Sequence, residues 1–183
     1  MDERTCELMF SSESDEHETP DWLFDSLNEE FGFTLDACAT AANAKLPNYI
    51  SPERDGLLQY WEKSTFVNPP YSKAEKPCKP NCKKKRCQKR GWHRKKRKPG
   101  CIDWVRKAYW EARAGMRVVM LLPARTDTKY FHRYIWDKKR CQPRPGVEVR
   151  FLEGRLKFKN CKDAAPFPSM IVIFNPWRRS WQF

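Results

Sequence analysis

Apolar positions along the chain fall into two periods, one helical and one extended. Leu23, Phe24, Leu27 and Phe31 recur at helical spacing, and Ile102, Val105, Tyr109 and Ala112 do so again. Gly32 and Gly115 stand where these helices have to stop, because glycine enters the left-handed terminal conformation without a Cβ penalty. Thr19-Pro20-Asp21 reads as a helix start, with a hydroxyl at the cap, a proline at the first position and an acid in the first turn. Thr126 or Asp127 caps a third predicted helix carrying Tyr130, Phe131, Tyr134 and Ile135. Between them lie extended runs. Phe33-Thr34-Leu35-Asp36 and Thr65-Phe66-Val67 read as buried strands, as does Arg117–Leu122, which ends at Pro123. Val147–Leu152 alternates like a half-buried strand and Ser169–Phe174 reads as a fully buried one. Asn43-Ala44 and Tyr49-Ile50 fit a short helix and a short strand, and Trp61 fits the core. Strands alternating with helices predict an α/β fold, a mainly parallel sheet with helices on both faces. At 183 residues, 1–183 is expected to be a single domain.

The stretch that carries chemistry follows the second strand. In Asn68-Pro69-Pro70-Tyr71 two prolines end the ladder, since neither has an N–H to give. They leave an amide, a proline carbonyl and an aromatic ring at the carboxyl end of a strand, where open α/β sheets hold ligands. An exocyclic amine on a planar base is a poor nucleophile because its lone pair is delocalised. Two acceptors aimed at its hydrogens, the Asn68 oxygen and the Pro69 carbonyl, draw it toward tetrahedral geometry. Tyr71 offers a face on which the planar group stacks, a role for the ring and not the hydroxyl. The rigid Pro-Pro link keeps the acceptors preorganised.

The tetrapeptide resembles the catalytic motif of S-adenosylmethionine-dependent amino-group methyltransferases. The stretches around it resemble the phage-type DNA N6-adenine methyltransferases (Dam-like). The resemblance runs from about Phe10 to Phe174. It is carried by Thr19-Pro20 with Trp22-Leu23-Phe24, Leu35-Asp36-Ala37-Cys38-Ala39, Asp55-Gly56-Leu57 with Trp61, and Asn68 to Ser72. It continues through Leu121–Thr128, Gly154–Phe158 and Ala165–Ser169. It implies a Rossmann-like class I methyltransferase fold with one antiparallel strand late in the sheet. It implies S-adenosyl-L-methionine as cofactor, with Thr19-Pro20 against its methionine part, Asp36 on its ammonium and Asp55-Gly56 at its adenine. Ala37 and Cys38 let the cofactor approach the backbone, although the usual glycine-rich loop is missing, and Asn68 borders the same place. Methyl transfer to N6 of a flipped-out adenine in double-stranded DNA is the expected activity. RNA adenine, a protein glutamine, and a zinc-dependent nucleic-acid binder with an inactive core remain the alternatives.

Charge sharpens this picture. Between Lys73 and Cys101 stand 14 Lys and Arg residues against one acid, Glu75, so this insertion alone carries the chain's whole net charge of +13. A polyanion partner follows. Lys83, Lys84, Lys85, Arg86 and Arg90 are the candidate phosphate contacts, with Arg125 and Arg155 added by resemblance. The insertion has almost no apolar residue besides Trp92, yet it holds Cys78, Cys82, Cys87, His93 and Cys101. Four of these five satisfy tetrahedral zinc. Residues 1–18 hold seven acids against Arg4 and read as a mobile acidic tail. No apolar run approaches a membrane span and the first residues are not a leader, so no membrane partner and a cytoplasmic location in a bacterial host are expected.

Overall fold

The computed structural model describes residues 17–177; residues 1–16 of the expected acidic tail lie outside them. Helix α1 spans Asp21–Phe31 and ends on Gly32 in the left-handed conformation (φ 55°). Its cap is Pro20, whose carbonyl receives the N–H groups of Leu23 and Phe24. The expected Thr19 cap therefore does not form: the Thr19 hydroxyl is turned inward to Asn68. Leu23, Phe24 and Leu27 are buried, and Phe24 meets Phe66 edge-on at 5.2 Å.

Five strands form the sheet in the order β1-β2-β3-β7-β6. They are β1 Leu35–Asp36, β2 Ser64–Val67, β3 Arg117–Pro123, β6 Val147–Phe151 and β7 Ser169–Phe174. β1, β2 and β3 run parallel, with Asp36 beside Phe66 and Val67 beside Met120. β7 is antiparallel to both its neighbours, pairing Val172 with Met120 and with Val149. It is thus the one reversed strand of a mostly parallel sheet among the described residues. β2 and β7 are buried along their length, and Met170–Phe174 of β7 is the continuous apolar run expected of a strand in a covered sheet. β6, at the edge, keeps charge instead: Arg150 pairs with Glu148 and with Glu30 of α1, a usual way to blunt an edge strand.

Three local expectations fail. Tyr49 makes a single bridge to Asp36 where a strand was expected, and Asn43-Ala44 closes one turn on Thr40 instead of a helix. The helix after Pro123 is a five-residue π turn, Phe131–Ile135, running straight into the small hairpin β4 Trp136–Asp137 and β5 Gln142–Pro143. The wider turn brings residues five apart together, and Phe131 stacks on Trp136 at 5.8 Å.

The insertion is pinched at its base. Glu75 and Lys98 exchange backbone hydrogen bonds at 3.0 and 2.9 Å, and Cys78 N–H reaches the Arg94 carbonyl at 2.8 Å. Gly100 sits where any Cβ would lie 2.1 Å from the Ala74 nitrogen, so only glycine lets the two arms cross. Between the arms runs the short helix α2, Lys85–Arg90; beyond them Cys101–Arg113 forms α3, which buries Val105, Ala108 and Ala112. Arg97 grips the buried carboxylate of Asp103 in α3 with two bonds, 2.9 and 2.8 Å, tying insertion to body. Among the described residues no helix is long and apolar enough to cross a membrane.

Candidate active site and basic insertion

Parallel pairing of β1, β2 and β3 brings Asp36 and Asn68 to the same end of the sheet. Asn68 is held on both sides of its amide. Its Nδ2 donates to Thr19 Oγ1 at 3.0 Å and to the His17 carbonyl, while Oδ1 accepts the Tyr71 hydroxyl at 2.7 Å. The donors on one side and the phenol on the other fix which way the amide oxygen faces. Tyr71 also approaches the Leu121 carbonyl at 3.3 Å, and burial pushes its phenol well above the usual range, so it stays a neutral donor. Pro69 is buried and Pro70 half-buried, which keeps this turn rigid.

The ring of Tyr71 is not an open face. His17 stacks on it with centroids 5.2 Å apart and 25° between planes. Phe158 tilts against His17 at 4.6 Å, and Phe167 meets Tyr71 edge-on at 5.7 Å. A planar heterocycle on Tyr71 inside an aromatic cage is thus already provided by the chain itself. Residues 17 and 18, expected in the mobile tail, are packed. Sequence reading missed His17, Phe158 and Phe167. The last two lie in stretches that carried the family resemblance, which was the available signal; His17, two residues before Thr19, offered none.

Two cavities meet this turn from different sides. One, of about 110 Å³, is lined by His17, Glu18, Thr19, Asp36, Cys38, Lys45, Asn68 and Pro70. Asp36 is 3% exposed and receives N–H bonds from Lys45 at 3.1 Å and Cys38 at 3.4 Å. Burial nonetheless raises its carboxyl above the ordinary value, with those two amides opposing. Lys45 Nζ lies 2.6 Å from Asp21 and 3.8 Å from Glu18, placing a cation beside acids at the mouth. Burial pushes the Cys38 thiol up to about 12, leaving a small neutral packing group. Asp55 and Gly56 are not in this lining. Asp55, at φ 52°, accepts the Leu57 N–H at 3.1 Å within its own turn and faces a separate cleft beside Arg97 and Trp110. A Cβ on Gly56 would lie 2.3 Å from the Ala37 carbonyl and 2.9 Å from Trp104, so this glycine serves close packing beneath β1.

The second cavity, of about 650 Å³, is lined by Tyr71, Cys101, Pro123, Arg125, Tyr130 and Phe167 among others. The Arg125 guanidinium lies 5.6 Å from the Phe167 ring. Arg155 is exposed and outside both cavities. Cys101 is buried here, its thiol pushed up to about 12 by that burial. It therefore leaves the expected ligand set, because the pinched stem points it into the body.

The other four gather. The ligand atoms of Cys78, Cys82, Cys87 and His93 all lie within 4.8 Å of one another. This Cys3His cluster has the donor set of a zinc site. A hydrogen bond from His93 draws the Cys78 thiol down to about 6, while burial raises that of Cys87. Lys83, Lys84 and Lys85 are exposed beside it, with Arg86 next in α2. Arg90 is not directed outward as expected: it donates to Cys87 Sγ at 3.4 Å and the Trp92 carbonyl at 3.0 Å, 3.6 Å from Glu75.

The sequence profile of the family described as DNA N-6-adenine-methyltransferase (Dam) matches residues 8–182. Among curated proteins, the DNA N-6-adenine-methyltransferase of Haemophilus phage HP1 (strain HP1c1) is 39% identical over 64 residues. That match covers 33% of this chain and 37% of the phage protein, so the chain spans little over a third of this relative's length.

Proposed function

The chain belongs to the DNA N-6-adenine-methyltransferase (Dam) family, and from that premise we propose that it methylates N6 of an adenine flipped out of double-stranded DNA, using S-adenosyl-L-methionine. In this reading the sheet is that of a Rossmann-like class I methyltransferase with helices on both faces. The protein is a single domain of phage or prophage origin, acting in the cytoplasm of a bacterial host.

The observation that carries the reading is the Asn68 amide, locked by Thr19 and His17 on its nitrogen and Tyr71 on its oxygen. A carbonyl oxygen has two lone pairs. With one on the Tyr71 hydroxyl, the other accepts an N6 hydrogen, and the Pro69 carbonyl accepts the second. Both acceptors stabilise the positive charge that grows on N6 during attack. When bound, S-adenosylmethionine supplies an electrophilic sulfonium methyl. The residues around Asp36 fit such a ligand: a buried carboxylate with acids and Lys45 at the mouth complements an ammonium and a carboxylate. Thr19 and Cys38 line the same wall, with Pro20 and Ala37 next to them in the chain, and Gly56 packs against the Ala37 carbonyl behind it. At about 110 Å³ the cavity is smaller than the 300–1,000 Å³ usual for small-molecule sites. His17 and Glu18 line it, and in this account the His17 imidazole and the Glu18 side chain turn aside when ligands enter, while the His17 carbonyl stays on the Asn68 amide. His17 holds the place on Tyr71 that the target adenine takes, reaching it through the larger cavity past Phe167. Arg125 at the rim, Arg155 outside it, and Lys83, Lys84, Lys85 and Arg86 on the insertion meet phosphate.

Transfer of an isotopically labelled methyl group tests this. Purified protein is offered duplex DNA, RNA or a bacterial lysate depleted of nucleic acid, and the products are digested and identified by mass spectrometry. N6-methyladenosine's deoxy form, from DNA, is the expected product. Label appearing only in RNA or in protein glutamine overturns the DNA reading.

A further inference from the structure

We propose that Cys78, Cys82, Cys87 and His93 bind one zinc ion, and that this ion folds the basic insertion. The sulfur geometry argues for it first. Cys78 Sγ lies 3.6 Å and Cys82 Sγ 3.7 Å from Cys87 Sγ. Zinc–sulfur bonds of about 2.3 Å in a tetrahedron put sulfurs roughly 3.8 Å apart. A disulfide would bring one pair to about 2.05 Å and leave the third sulfur out.

The backbone shows how residues with irregular spacing reach one point. Cys78 sits on the first arm, registered with the second arm by its bond to the Arg94 carbonyl. Cys82 follows a turn closed on Lys79, and Cys87 is carried by α2. Gly91, at φ 74°, reverses the chain after α2 and returns His93 to the sulfurs. Cys87 is only 2% exposed, in a segment whose one large apolar side chain, Trp92, is 52% exposed. Against its sulfur lie Cys78, Cys82 and Arg90. An insertion with so little apolar surface cannot hold itself together by burial, whereas a metal clip can.

Charge agrees. Three cysteines bind zinc as thiolates, each thiol passing its proton to solvent, and with a neutral histidine the complex carries one negative charge. That charge lies inside a segment of net +13. Arg90 reaches two of the sulfurs, at 3.4 and 3.9 Å, as donors to metal-bound thiolates commonly do. Sulfur and imidazole donors with no carboxylate in the set disfavour magnesium and calcium.

Cys82 and Cys87 bracket Lys83–Arg86 directly in the chain. An ion that fixes both cysteines fixes the basic run between them, a consequence for duplex binding that rests on the methyltransferase reading; the metal itself does not. The test is elemental analysis of protein purified without added metal, paired with absorption spectra after cobalt exchange. About one zinc per chain is expected, with a thiolate-to-cobalt charge-transfer band and strong tetrahedral visible bands. Cys87→Ser and His93→Ala should each lower zinc content at least fivefold, while Cys161→Ser keeps it at one. Should the first two variants fail to fold, wild-type protein stripped with a chelator serves instead. Zinc should restore protection of residues 73–101 from protease and tighten duplex binding about tenfold, with S-adenosylmethionine affinity unchanged. Less than a fifth of an equivalent of metal and no tetrahedral cobalt spectrum would overturn the site. Protease protection indifferent to zinc would overturn its folding role. Zinc binding without methyl transfer would leave this proposal standing and count against the proposed activity alone.

Discussion

The turn at Asn68–Tyr71 and the insertion at 73–101 adjoin in sequence but are held in place by different forces. Asn68 follows β2, four residues that are all buried, and the sheet neighbours Val119, Met120 and Ile173 are fully enclosed. Hydrophobic burial fixes that strand, and the strand fixes the amide. The insertion has no comparable core. Its order comes from a pinched stem, the Arg97–Asp103 pair, Arg90 among Glu75 and the sulfurs, and four metal-type ligands. One region is built to hold atoms still; the other keeps exposed lysines outward. In the proposed function the first supplies the chemistry and the second the affinity for a polyanion, two tasks separated along the chain.

Substitution at the turn should give the largest effect. Asn68→Ala is expected to lower kcat about 100- to 1,000-fold, as loss of one preorganised acceptor does, while S-adenosylmethionine affinity stays within several-fold. Single-turnover rates and calorimetry check both. Phe66→Ala, one strand position from the loop and 1% exposed, should cost about 3–5 kcal/mol of folding stability by denaturant titration. Trp92→Ala in the insertion should leave global stability within about 0.5 kcal/mol. A large loss at Trp92 would erase the contrast between the two regions.

Tyr71 separates ring from hydroxyl. Tyr71→Ala should lose roughly 1–3 kcal/mol of base stacking, or about 5- to 150-fold in kcat/KM. Tyr71→Phe keeps the ring but strands the Asn68 oxygen, so a fall of up to about tenfold is expected, in kcat more than in KM. His17→Ala should go the other way, raising affinity for a duplex with an extrahelical adenine, since the imidazole no longer holds that place.

Much of this was legible in the sequence, for physical reasons that vary by element. Long apolar runs such as Val118–Leu122 and Met170–Phe174 have one low-energy fate, and they became the bodies of β3 and β7. The Asn68 turn was legible because proline ends a ladder whatever surrounds it. Tyr49 and the π turn were not, because two or five residues are placed by their neighbours and not by their own pattern. Thr19 was misassigned for a similar reason: a hydroxyl beside a helix start serves either the helix or a partner 49 residues away, and only the fold chooses. The ligand cluster was readable as composition, but selecting four of five needed the crossing at Gly100, which turns Cys101 into the body.

Charge and pH give smaller effects. Replacing Lys83, Lys84, Lys85 and Arg86 by Ala should reduce the salt slope of duplex binding by roughly 0.9 per lost phosphate contact, seen in a titration over salt concentration. Asp36→Asn should weaken cofactor binding and lower the melting temperature at neutral pH, because Oδ1 and Oδ2 each accept a backbone N–H, from Cys38 and Lys45, and an amide nitrogen would meet one of those donors. The carboxyl itself sets the pH dependence of the wild type: raised by burial in the folded state, it favours folding when protonated, and that contribution is lost as pH rises through its folded value. Melting temperatures of both proteins across pH check this; a wild type that gains stability over the variant as pH rises through that value would mean that the ionised form is the stabilising one.

The division of labour is tested most directly by single-turnover methyl transfer to a duplex, titrated with DNA, comparing wild type with the Lys83/Lys84/Lys85/Arg86 alanine variant. The predicted result is an unchanged rate at saturating DNA with half-saturation moved to at least tenfold higher concentration. A saturated rate that falls with the charges, at unchanged half-saturation, would contradict it and place the insertion in the chemical step.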